Sequence, residues 1–191
     1  ASEVTAIRYR AVNETIATLD QALALCESLG RGVMLDIKDA ESPAMLRRAA
    51  ELVKKHGLER STITLNSDPR IAGALAGVSL VHIKARDSVK KEDREGRLLQ
   101  GYFWFGVPQD FPEGEFEKWQ REGALIFPAI NTFRYPADRH DELAAEDIAR
   151  LRKLGVDGFQ IDSVYQRHFG LPAGPDVNRK GTTEDTKYTE K

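Results

Sequence analysis

Short β-rich runs alternate along this chain with longer segments in which apolar residues recur at helical spacing. In "TLDQALALCESLG", Leu19, Ala22, Leu23, Cys26 and Leu29 mark one helical face. Thr18 with Gln21 three residues on forms a capping box, and Gly30 can stop the helix. "SPAMLRRAAELVKKHG" has Ser42 as N-cap, Pro43 at the first helical position and Gly57 as stop. Further helices are predicted within "DPRIAGALAG", around "GEFEKWQREG" and over "DELAAEDIARLRKLG". Between them lie six strand signals: "GVMLDI", "TITL", "SLVHIKA", "GYFWFGV", "ALIFPAI" and "VDGFQID". No Asn-Gly hairpin signal joins them. Strands separated by helices predict an α/β domain with a parallel sheet and right-handed crossovers.

Two architectures answer to that order, an open doubly wound sheet and a β/α barrel. An open sheet is covered by helices on both faces, so both faces of a strand should be apolar. Here one face repeatedly turns polar. Val33, Leu35 and Ile37 oppose Asp36 and Lys38; Ile63 and Leu65 oppose Thr62, Thr64 and Asn66. Val81 and Ile83 oppose His82 and Lys84; Phe103 and Phe105 oppose Tyr102 and Trp104; Phe159 and Ile161 oppose Gln160 and Asp162. Period-two geometry sends each set to one side. The alternation predicts a TIM-type β/α barrel, with the polar sets facing a lumen and gathering at strand C-termini, where barrel active sites sit. A full barrel has eight strand–helix units. The six strand signals therefore predict an incomplete one, beginning after its second unit, over residues 1–172. The polar, aperiodic residues 173–191 are expected to be a disordered tail.

The chain's 191 residues suffice for one core, and 41% hydrophobic with 30% charged residues is ordinary for a soluble domain. A net charge of −2 supplies no general attraction for nucleic acid, and no apolar run is long enough to span a membrane. The lone Cys26 excludes an internal disulfide and sits on an apolar helix face, where a thiol packs. The almost wholly charged run 86–98 reads as a solvated helix or loop. Opening at Ala1 is the expectation for a processed or trimmed product, cytoplasmic or secreted.

Several side chains carry candidate chemistry. Asp36 and Lys38, two apart on one face, suit either a structural ion pair or a hard-oxygen metal ligand beside a phosphate-binding ammonium. His82 reads as a satisfied core histidine or as a base titrating near neutrality. Lys84 suits a solvated rim or a phosphate contact. Trp104 suits core packing or a substrate platform. Asn131 and Asp162 can hydrogen-bond hydroxyls or close the barrel ends.

The segment "ATLDQALALCESLGRGVMLDIKD" resembles the middle of the glycerophosphodiester phosphodiesterase family, where a Thr-Leu-led helix precedes a strand ending Glu-Ile-Lys. "TITLNSDP" is similar to that family's next strand, usually ending Ser-Phe-Asp. "FPAINTF" stands where Trp-Thr-Val-Asn is usual, matching at Asn131. "LGVDGFQIDSV" resembles its closing strand at Gly155, Val156, Asp157, Gly158 and Asp162. The resemblance runs from Thr18 to Tyr165. It implies a β/α barrel that hydrolyses glycerophosphodiesters to an alcohol and glycerol 3-phosphate with a divalent cation, Mg or Ca. It places Asp36 where a metal-binding Glu is usual and Lys38 where a phosphate-contacting Lys is usual. The family's His-Arg-Gly motif, its Glu-x-Asp pair and its second catalytic histidine have no counterpart in this sequence, so the cation site is expected to be incomplete.

A small-molecule phosphodiester is thus the expected partner, with pairing through exposed sheet edges as a second expectation. Two other readings stand beside this one. The chain could be a non-catalytic relict or binding module on the same scaffold, or an unrelated open α/β ligand-binding domain.

Overall fold

The computed structural model describes residues 7, 15–38, 40–66, 68–88 and 99–171. Most of the charged run and the expected tail lie outside the described residues. All six strand signals form strands: β1 (Val33–Leu35), β2 (Thr62–Thr64), β3 (Leu80–His82), β4 (Tyr102–Gly106), β5 (Leu125–Ile130) and β6 (Gln160–Ile161). They pair in parallel in the order β1-β2-β3-β4-β5-β6. A doubly wound sheet reverses direction along its strand order, whereas a barrel adds each strand beside the last. The unreversed order, curled with helices between the strands, is an incomplete TIM-type barrel, and the open-sheet alternative is set aside.

The helices form where local chemistry ends and begins them. α1 (Leu19–Ser28) starts in the capping box, with Gln21 N–H donating to Thr18 Oγ1 at 3.2 Å and Thr18 N–H to Gln21 Oε1 at 2.8 Å. α2 (Pro43–Lys55) starts on Ser42, whose hydroxyl accepts from Met45 N–H. α3 (Pro69–Leu75) starts on Asp68 and α4 spans Phe116–Arg121. α5 (His140–Leu154) ends at left-handed Gly155 with φ 81°. Among the described residues no helix is long and apolar enough to cross a membrane.

Register settles which side of each strand faces the helices, because paired residues in a sheet share a face. Leu35 packs with Leu23, Leu46 and Val53 of the helices around β1. Val33 pairs with Thr62 and Leu35 with Thr64. The same face continues through Val81, Tyr102, Trp104, Ile126, Ile130 and Ile161. The opposite, concave face carries Met34, Ile63, His82, Phe103, Phe127 and Gln160.

Three strands follow the expected polarity and two reverse it. In β2, Thr62 and Thr64 face the helices, fully buried, and Ile63 faces the lumen. Burial is tolerable because Thr62 Oγ1 donates to Leu58 O at 2.8 Å and Thr64 Oγ1 lies 2.8 Å from Ser79 Oγ. Their methyl groups then serve as core. In β4, Tyr102 and Trp104 face the helices and Phe103 and Phe105 face the lumen. An all-aromatic run has no polarity contrast, so shape decides instead. The Trp104 indole lies over Gly106, where an added Cβ would sit 2.6 Å from the ring, and its other side meets Phe111 edge-on at 5.4 Å. The concave floor is consequently aromatic rather than polar, with Phe103 touching His82, Phe105 and Phe127.

Trp104 is 6% exposed in the core cluster beneath α4 and α5. Trp104→Ala is expected to cost about 3–5 kcal/mol of folding stability, the usual range for emptying a large aromatic site. A urea titration measures it. A loss under about 1 kcal/mol would mean the indole is not core.

Candidate functional site

Parallel pairing puts every strand's C-terminal end on one side of the sheet, so the residues that follow the strands share one mouth. Asp36 and Lys38 follow β1, Asn66 follows β2, Lys84 follows β3, Asn131 and Thr132 follow β5, and Asp162 follows β6. Asp36 and Asp162 therefore lie at the same end, at the two outer strands.

At β1, Lys38 Nζ donates to Asp36 Oδ2 at 2.5 Å. The pair is open to water, with side chains 81% and 46% exposed. It borders a cleft of about 450 Å³ walled by Leu19, Met34, Ile37, Met45 and Ala49. Asn66 ties the ends of β1 and β2: its Nδ2 donates to Ile37 O at 2.6 Å and its Oδ1 accepts from Asp68 N–H.

At β3, His82 is 4% exposed, and both ring nitrogens meet main chain. Nε2 lies 2.8 Å from Phe105 O, an acceptor, and Nδ1 lies 3.2 Å from Lys84 N–H, a donor. Phe105 N–H also approaches Nε2, at 3.3 Å, but the shorter contact to Phe105 O and the Lys84 donor at Nδ1 together match the neutral tautomer with its proton on Nε2. Burial, with help from the Lys84 charge, holds the imidazole below its usual range against the bond to Phe105. His82 thus ties β3 to β4 and anchors the turn that carries exposed Lys84.

At β5 and β6 the polar side chains form a closed network. Asp162 Oδ2 accepts from Thr132 N–H at 2.7 Å and Thr132 Oγ1 at 2.9 Å. Its Oδ1 accepts from Asn131 Nδ2 at 3.1 Å, which also donates to Gln160 Oε1 at 3.0 Å. Partial burial opposes ionisation of Asp162, but the Thr132 and Asn131 donors outweigh it and leave the carboxyl below its ordinary range. Both amide hydrogens of Asn131 are spent, leaving its carbonyl oxygen to accept. Thr132 was not among the sequence candidates; its signal is its place directly after Asn131 at a strand end.

The Gly155-Val156-Asp157-Gly158 stretch has structural work to do. Gly155 caps α5, and Val156 packs into the core beneath it. Asp157 Oδ2 accepts from Ile126 N–H at 2.8 Å and from Gln120 Nε2 at 3.0 Å, fixing the start of β5. An added Cβ at Gly158 would sit 2.5 Å from the Phe127 ring, which rests there.

Of the sequence candidates, Asp36, Lys38, Lys84, Asn131 and Asp162 reach the mouth. Trp104 faces the helices instead, and His82 lies beneath the mouth with its nitrogens committed. Among the described residues, no three His, Cys, Asp or Glu side chains converge as a metal ion needs. A hard divalent cation takes six or more oxygens. Asp36 offers one carboxylate, already bound by Lys38, so the described donor set does not fit such an ion.

No family model matches the sequence, and no curated protein matches it. Among solved structures, the chain is similar to a protein from Silicibacter pomeroyi DSS-3, provisionally named a glycerophosphoryl diester phosphodiesterase and solved at 1.60 Å. The TM-score is 0.51 at 17% identity, over 82% of this chain. The match spans 58% of the other chain's length. At that identity the likeness establishes the shared barrel scaffold.

Proposed function

We propose that this chain forms the phosphodiester-recognising part of a glycerophosphodiester phosphodiesterase-type barrel, acting in lipid or glycerol metabolism. Lys38 is the principal phosphate contact and Lys84 the second. The Asn131 carbonyl and the unshared electron pairs of Asp162 Oδ1 accept hydrogen bonds from glycerol hydroxyls. The observation that carries the reading is the position of Lys38, an almost fully exposed ammonium at a strand C-terminus of this scaffold.

Hydrolysis of a phosphodiester needs charge neutralisation, a base for the nucleophile and an acid for the leaving alkoxide. The described mouth supplies the first through its lysines. His82 has no free nitrogen to supply the others, which favours a second reading: ligand binding without turnover by this chain alone. Asp36 is a single carboxylate, and no step here runs through a cation.

Glycerol 3-phosphate titrated into the chain, followed by NMR, tests the site. Lys38→Ala is expected to weaken binding about tenfold, the loss of one charge-assisted hydrogen bond. Unchanged affinity in that variant, or no binding by the wild type, overturns the assignment. An assay with a glycerophosphodiester separates the two readings, since release of glycerol 3-phosphate by this chain would dismiss the non-catalytic one.

Divalent cations give an independent prediction. With one carboxylate available, Mg²⁺ or Ca²⁺ at about 1 mM is expected to leave the Asp36 resonances unsaturated, weaker than built calcium sites. Saturation well below that concentration would show a donor set beyond the described residues.

A further inference from the structure

α1 is fastened to α2 by a charged cluster that the phosphate site does not use. His56, at the end of α2, is buried with its side chain 8% exposed. Its Nε2 lies 2.7 Å from Asp20 Oδ1 and its Nδ1 lies 2.6 Å from Glu27 Oε2. Both carboxylates belong to α1, one near each end. Lys55 Nζ donates to both oxygens of Asp20 at 2.8 and 2.9 Å. Asp20 and Glu27 from α1 and Lys55 from α2 are the charged groups that act on the imidazole.

An ionised carboxylate only accepts hydrogen bonds. A neutral imidazole has one N–H and one lone pair, so it can satisfy one of these carboxylates and must turn its lone pair on the other. Only the imidazolium satisfies both. The two nitrogens point apart, so the cluster cannot chelate a metal ion; its chemistry is that of a proton. We propose that His56, gripped between Asp20 and Glu27, is a pH-operated latch that holds α1 on α2 when protonated and releases it when the proton leaves.

The direction follows from the partners. Hydrogen bonds from Asp20, then from Glu27, raise the His56 pKa above its ordinary 6.5. Lys55 and His56 pull Asp20 down to about 2, so its charge is constant through the neutral range. A group whose folded pKa exceeds its unfolded value contributes its stabilisation below the unfolded value and loses it as pH rises through the folded one. The latch is therefore closed below about pH 6.5 and opens in alkali. Leu19, adjacent to Asp20, forms a wall of the cleft bordered by Asp36 and Lys38. Release of α1 widens that cleft.

Amide hydrogen exchange on the whole chain, corrected for intrinsic base catalysis, tests the latch alongside NMR titration of the His56 ring. The ring is expected to titrate above 6.5, and protection of α1 is expected to fall at least about tenfold between about pH 6.5 and 9, with α5 unchanged. Glu27→Gln removes one carboxylate at a position over half exposed, where the fold tolerates it, and should move both transitions to lower pH. A ring that titrates at or below 6.5, α1 protection that follows α5 at both pH values, or transitions unmoved in Glu27→Gln would overturn the proposal. None of these readouts depends on phosphate binding, so the latch and the proposed function stand or fall separately.

Discussion

Everything functional in this structure depends on parallel, in-order strand pairing. A parallel neighbour preserves both direction and face, so six strands laid side by side put all their C-terminal ends in one place and one continuous face inward. Side chains separated by more than a hundred residues, such as Asp36 and Asp162, reach the same mouth through that rule alone. The helices enforce it from outside: Leu23, Leu46 and Val53 seal β1, while Ile148 and Leu151 seal β5. Burial of large apolar side chains is worth about 1.5–3 kcal/mol each, so the convex face outweighs any single polar contact at the mouth.

Element type was legible because its signals are local. The Thr18–Gln21 capping box, Ser42 with Pro43, and left-handed Gly155 mark helix ends through chemistry within a few residues. Strand faces were legible only where polarity and environment coincide, as at His82 and Gln160. Thr62 and Thr64 broke the rule because a hydroxyl satisfied inside the protein lets threonine act as an apolar residue. The "YFWFG" strand offered no contrast to read, and the deciding fact, an indole seated over Gly106, is a matter of shape between residues on one strand face.

The site was legible in part for a related reason. Sequence shows which residues stand at strand ends but not what they are bonded to. His82 read as either a satisfied core histidine or a base, and main-chain groups of Lys84, just after β3, and of Phe105 in β4 occupy both its nitrogens. Thr132 was overlooked because its importance comes from Asp162, thirty residues away, which takes both its N–H and its hydroxyl. Asp157 illustrates the converse: a charged residue in a family-like motif that serves the β5 main chain.

These bonds make the two sides of the mouth unlike. At β5 and β6, Asp162 is held by three donors, and displacing any of them strands a partly buried polar group at a cost of about 1–3 kcal/mol. At β1, the Asp36–Lys38 pair is exposed, and such pairs are worth about 0–1 kcal/mol. Lys38 can therefore be redirected from Asp36 at almost no cost, while the Asp162 side keeps its geometry. In the proposed function, a fixed acceptor and an easily redirected cation at the same end of the sheet suit a phosphate bearing a hydroxylated alcohol.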